Sequence, residues 1–121
     1  MTKKYAAIFA LLALLVAGVS LLTAAEGGAG TWTGEVIDVA CYSTHASKGA
    51  DHMECGAKCV KAGLPVGLLV NGTTYLLINS DHTALNEKLA AHVGHTVTVN
   101  GTKHESPGAN VIVVKDWAMA K

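Results

Sequence analysis

The sequence contains no arginine and only two prolines, and aromatic residues make up 5% of its 121 positions. Arginine supplies the bidentate forks that grip phosphates and guanine bases, and proteins that bind nucleic acids are usually basic. Beyond residue 25 the chain carries seven lysines against nine acidic residues, which gives a net charge near −2. The composition therefore argues against nucleic-acid binding.

Charged residues are also absent from the run between Tyr5 and Ala25, which directly follows Lys3 and Lys4. A short positive start, an uncharged run and small residues at its end are typical of a secretory signal peptide. The run is also long enough to cross a bilayer, which needs about 20 apolar residues, so an uncleaved membrane anchor is the alternative. Both interpretations of residues 1–25 place the remainder in the periplasm or on the extracytoplasmic face of the membrane.

The three cysteines cannot all pair within one chain, so at least one thiol is free, metal-bound or linked to another molecule. The sequence contains no Cys-x-x-Cys motif, which disfavours a thiol-redox enzyme and covalent c-type haem. It also contains no grouping of serine, histidine and acid that indicates a hydrolase. The sequence therefore favours a binding protein over an enzyme.

Short apolar runs separated by turn signals predict a single domain over residues 31–121, preceded by a flexible lead at 26–30. Asn71-Gly72 lies between two apolar runs and predicts a tight hairpin. Asp51 and Glu54 are spaced as a capping box at the start of a helix. The predicted strands are 31–41, 66–70, 73–79, 96–100 and 110–116, and the predicted helices are 51–62 and 81–92.

This order of elements is that of a five-stranded OB-like Greek-key barrel, mainly β, with a helix between strands 3 and 4. The cysteine-bearing helix is then an insertion after strand 1. The alternative is an open α+β sheet with both helices on one face.

The residues that carry chemistry lie in one short stretch of the chain. On a helix over residues 51–62, His52, Cys55 and Cys59 share one face because they stand at positions i, i+3 and i+7. Cys41, just upstream at the end of the first predicted strand, completes four potential ligands. Thiolate and imidazole donors suit copper(I) or zinc. The sequence thus predicts a soft-metal-binding protein with a trafficking, sensing or structural role.

A disulfide from Cys41 to Cys55 or Cys59 is the alternative. A bond between Cys55 and Cys59 is disfavoured, because Cβ atoms four residues apart on a helix are too far separated. A disulfide would make the domain a stapled interaction module or an accessory subunit of an envelope complex, with another envelope protein as its partner.

Two further residues flank this stretch. Asp38 is either a carboxylate that orients a histidine ligand or a strand-end residue that accepts hydrogen bonds from backbone N–H groups. His45 is a second candidate for the supporting role, or a solvated loop residue. The remaining histidines are expected at the surface; they are His82, His92, His95 and His104.

The chain from Trp32 to Trp117 resembles a group of small exported bacterial OB-like domains of unknown function. The resemblance implies the barrel and implies that the residues of the Asp-x-x-Cys and His-x-x-Cys-x-x-x-Cys pattern act as one unit. The resemblance does not indicate an activity. The residues on which it rests are Gly34, Asp38, Cys41, His52, Cys55, Cys59, Gly63, the strand around Tyr75 and the run from Val93 to Gly101.

Overall fold

The computed structural model describes residues 27–121, and the predicted signal peptide or anchor at 1–25 lies outside the described residues. Five strands form a closed barrel in the order β1-β2-β3-β5-β4. β3 and β5 pair in parallel, and the other neighbours are antiparallel. The OB-like barrel is confirmed, and the open sheet is excluded. The strands are β1 Gly28–Asp38, β2 Val66–Val70, β3 Thr73–Asn79, β4 Thr96–Ser106 and β5 Ala109–Met119.

Three short helices pack on the barrel; one after β1 and one between β3 and β4 were predicted, whereas the helix that directly follows β1 was not. Two of them follow β1, and the third lies between β3 and β4. Within residues 27–121, no helix has the length and apolar character needed to span a membrane. The helices are α1 Val39–His45, α2 Met53–Lys61 and α3 Asn86–Leu89, and two 3-10 turns occupy Ala50–His52 and Ala90–His92.

The start of the cysteine-bearing helix differs from the predicted capping box. The 3-10 turn precedes α2, so Asp51 lies within a helical turn rather than ahead of it, and no side chain caps α2. Glu54 instead forms an ion pair with Lys58, one turn later, at 2.8 Å. The capping-box prediction is therefore wrong.

The last two strands are longer than their apolar patterns indicate. The fourth strand does not end at residue 100 as predicted, because Asn100-Gly101 faces a β-bulge, in which Lys115 of β5 is the extra residue between two paired positions. A Cβ at Gly101 would overlap the carbonyl of Val113, so this glycine permits close strand contact and does not mark a turn. β1 likewise begins at Gly28, inside the segment expected to be a flexible lead.

The predicted hairpin between β2 and β3 is present. Asn71 and Gly72 have φ angles of 47° and 81°, which are the positive values that a type I′ turn requires. The helix predicted at 81–92 is much shorter, because α3 begins only at Asn86.

Aliphatic side chains from alternate strand positions fill the barrel. Leu68, Val99 and Ile112 are completely buried, at 0% exposure. Val60 of α2 and Leu89 of α3 belong to the same apolar cluster, so the helices are packed onto the barrel. Burial of each such side chain stabilises the fold by about 2 kcal/mol. The segment after β1 is thereby fixed against a rigid support.

Gly34 should be among the least replaceable residues of the barrel, because a Cβ there would overlap the carbonyl of Leu69 on β2. We expect Gly34→Ala to lower the free energy of unfolding by about 1–3 kcal/mol, measured by urea denaturation. Gly28→Ala in the same strand is the matched control, because a Cβ there meets no atom within 4 Å. Equal stability of the two variants would contradict the close approach of β1 and β2.

Candidate metal centre

Asp38 is the last residue of β1 and is completely buried. Its Oδ1 accepts hydrogen bonds from the backbone N–H groups of Ala40 at 2.9 Å and Cys41 at 3.4 Å. Asp38 is thus the N-cap of α1, as its β-region backbone angles also indicate. The predicted hydrogen bonds to backbone N–H groups are confirmed.

This cap changes the placement of Cys41. Cys41 was expected at the end of the first strand, but the chain turns into α1 directly after Asp38. Cys41 lies in the first turn of that helix and is half-buried. A capped turn brings Cys41 back towards the carboxylate, whereas an extended strand would carry it away.

His52 comes to the same place from α2. It ends the 3-10 turn before that helix, and its ring lies against Gly56. A Cβ at Gly56 would lie 3.1 Å from the His52 Cδ2 and 2.5 Å from the Val93 Cγ1. The glycine therefore allows α2 to pack closely on the segment after α3 while the imidazole stays between them.

Asp38, Cys41 and His52 converge on one point. A carboxylate oxygen, a sulfur and a ring nitrogen, one from each residue, lie within 4.8 Å of one another. Asp38 Oδ2 and His52 Nε2 are buried and accept or donate no hydrogen bond of standard geometry within the described chain. A buried polar atom without a partner typically costs about 1–3 kcal/mol. A cation bound between these groups would offset that cost.

The other predicted metal-site residues differ in their exposure to solvent. Cys59 is half-buried and its pKa is influenced by Asp38 and Cys41, but it lies outside the group of three. Cys55 is exposed and lies outside the group of three. His45 is exposed in the last turn of α1 and also lies outside it. All three cysteines are free thiols.

The Asp38 carboxylate controls the protonation of the two nearer thiols. Hydrogen bonding to Asp38, reinforced by burial, raises the pKa of Cys41 to about 12. Burial first, and then Asp38, raises the pKa of Cys59. The negative Asp38 carboxylate lies close enough to both thiols to favour their neutral, protonated forms. Neither thiol donates a hydrogen bond of standard geometry to Asp38 Oδ2. Without a metal, both thiols are neutral at physiological pH.

These shifts bear on which chemistry the centre can perform. A nucleophilic cysteine needs a lowered pKa and a positive neighbour, whereas Cys41 has a raised pKa and a carboxylate beside it. Metal binding does not need a preformed thiolate, since the cation displaces the proton as it binds. The donor set therefore suits a cation better than covalent catalysis.

Two histidines outside this centre are less exposed than the sequence indicates. His82 and His104 are exposed as expected, but His92 and His95 are half-buried. The expectation of a surface location is wrong for these two, because the segment after α3 packs against α2 and β1 instead of remaining in solvent. Their spacing of three residues was the available signal in the sequence.

No protein-family model, curated protein or solved structure is similar enough to this chain to count as a match.

Replacing Asp38 by asparagine keeps an oxygen acceptor for α1 and removes the negative charge. In metal-free Asp38→Asn protein, we expect the pKa of the Cys41 thiol to fall towards its ordinary value. The Asp38 carboxylate, the main cause of the raised pKa, is absent from this variant. Cys41 should then react faster with iodoacetamide at a fixed, mildly alkaline pH. Peptide mass mapping gives the rate, with exposed Cys55 as the internal reference. An unchanged ratio of the two rates would show that the carboxylate does not govern this thiol.

Proposed function

We propose that this protein binds one zinc ion through Asp38, Cys41, His52 and Cys59. The observation that carries the proposal is the convergence of three donor atoms within 4.8 Å from Asp38, Cys41 and His52. We assign Cys59 as the fourth ligand, although it lies outside these three converging groups, because it is the half-buried thiol of α2, whereas Cys55 is exposed. The donor set combines two thiols, one imidazole and one carboxylate.

The spacing of the donors supports a site that closes on the ion with little movement. Ligand atoms of a tetrahedral zinc site lie about 3.3–3.8 Å apart, given bonds of about 2.0–2.3 Å. The observed limit of 4.8 Å for the three donors exceeds this by about 1 Å. Small rotations about side-chain bonds cover such a difference, so the backbone can stay in place.

The carboxylate favours zinc over copper(I), which the sequence leaves open. Copper(I) selects soft thiolate and thioether ligands, whereas zinc accepts sulfur, imidazole nitrogen and carboxylate oxygen together. Asp38 is fully buried beside the thiols and cannot turn away to solvent. A cation bound here would therefore be coordinated by a hard oxygen donor, which zinc accepts more readily than copper(I) does.

The positions of the ligands support a structural role for the ion. They come from the end of β1, from α1 and from both ends of the α2 segment. One ion would hold both helices onto the barrel, and its binding free energy would add to that of folding. The signal-like start of the chain supports export.

A disulfide between Cys41 and Cys59 is the second candidate, since these two thiols lie near each other. It would link α2 to α1 and stabilise the domain by roughly 3 kcal/mol for a loop of this length. The domain would then be an interaction module or accessory subunit without metal.

Zinc retention by the full chain tests the proposal. We expect native mass spectrometry to show one zinc per chain after reduction and addition of one equivalent. Cys59→Ser should weaken binding by roughly a hundredfold or more, because one of four ligands is lost from a site whose binding free energy is on the order of 10 kcal/mol. Chelator competition measures the affinity.

Cys55→Ser is the matched control on the same helix, and it should keep the zinc because Cys55 is exposed. Affinity that survives both Cys41→Ser and His52→Asn would overturn the proposal. A chain purified without reductant that carries no metal and has lost two protons would favour the disulfide instead.

A further inference from the structure

His92 and His95 form a second pair of buried donor groups, separate from the zinc ligands. His92 ends the 3-10 turn after α3, and the backbone N–H of His95 donates to the His92 carbonyl at 2.9 Å. This turn places both imidazoles on one side of the segment, with ring centroids 5.9 Å apart and ring planes at 61°.

Both rings keep a buried nitrogen without a partner. Within residues 27–121, four buried side-chain nitrogen or oxygen atoms make no hydrogen bond. Two of them belong to Asp38 and His52 of the proposed zinc centre. The other two are Nδ1 of His92 and Nδ1 of His95. Solvated histidines would expose these atoms to water, so their shared lack of a partner points to a shared ligand.

Strand β5 supplies two neighbours of this pair that bear on a ligand. The Trp117 ring contacts His92 edge-on, with centroids 4.8 Å apart. Met119 lies two residues further along β5 and therefore on the same face of the strand as Trp117. It pairs with Val97, close after His95 in the chain, and is 46% exposed. The two imidazoles and the Trp117 ring therefore meet at one end of the barrel, and the strand register brings Met119 to the same end.

We propose that His92 and His95 bind a copper(I) ion, with Met119 as a third donor. With metal–nitrogen bonds of about 2.0 Å, two imidazoles on one ion have their centroids roughly 5–6 Å apart, and the observed 5.9 Å falls in that range. Imidazole and thioether donors without a carboxylate suit copper(I) better than zinc or hard cations. This site shares no residue with the zinc centre and does not depend on it.

Silver(I), an air-stable ion with the same ligand preference, is the probe. The titration uses the full chain with three substitutions that remove the competing thiols, namely Cys41→Ser, Cys55→Ser and Cys59→Ser. With Trp32→Phe, Trp117 is the remaining tryptophan, and it lies beside the proposed ion. We expect one equivalent of silver(I) to quench its fluorescence.

His92→Asn and His95→Asn in that background should each weaken the quenching at least tenfold. His82→Asn and His104→Asn are matched controls, because both histidines are exposed, and neither should change the titration. The proposal is overturned if equimolar silver(I) leaves Trp117 unquenched, or if the quenching is the same with and without His92.

Circular dichroism shows whether the thiol-free background folds. If it does not, the chain with its cysteines answers the same question by native mass spectrometry. There His92→Asn should lower the number of silver ions bound at saturation by one, whereas His82→Asn should leave it unchanged. Equal counts in the two variants would rule out the site.

Discussion

The Asp38 carboxylate performs two separate tasks at the junction of β1 and α1. One oxygen accepts hydrogen bonds from backbone N–H groups of the first helical turn. The other oxygen lies near the thiols and the imidazole and accepts no hydrogen bond within the described residues. Full burial excludes water as a substitute partner. The chain therefore turns into α1 at the one point where a carboxylate, Cys41 and His52 meet.

The barrel provides the rigid base for this arrangement. Val36 and Ile37 precede Asp38 and are almost completely buried, so the end of β1 cannot shift without disturbing the interior. On the helical side, Gly56 and Val93 fix how closely α2 approaches. His52 is held between these two supports, which limits the movement that a bound ion would require.

The fold could be predicted from the sequence because its signals are local. Asn71-Gly72 dictates a hairpin through positive φ angles, and the order of apolar runs indicates the barrel. The bulge opposite Asn100 could not be predicted, since Asn-Gly is equally compatible with a turn, and pairing with β5 decides between them. Tertiary pairing also determines where β1 begins.

The residue types of the candidate site could be predicted from the sequence, but the burial of each side chain could not. Spacing places Cys55 and Cys59 on one helix, yet packing alone decides that one is exposed and the other half-buried. Of the two interpretations of Asp38, the hydrogen bonds to backbone N–H groups are confirmed, whereas Asp38 Oδ2 forms no hydrogen bond with a histidine of the described residues. The burial of His92 and His95 depends on α2, which is distant in sequence, and their spacing of three residues is a weak local signal for it.

The segment from Asp38 to Cys59 has a consequence for the order of folding. Its polar groups are joined through short stretches of chain, whereas closing the barrel pairs Thr31 with Asn100, which are 69 positions apart. Joining distant segments costs more chain entropy and slows folding. The Asp38 segment precedes β4 and β5 in the chain, so its short-range contacts can form first, and closure of the barrel then fixes them in place.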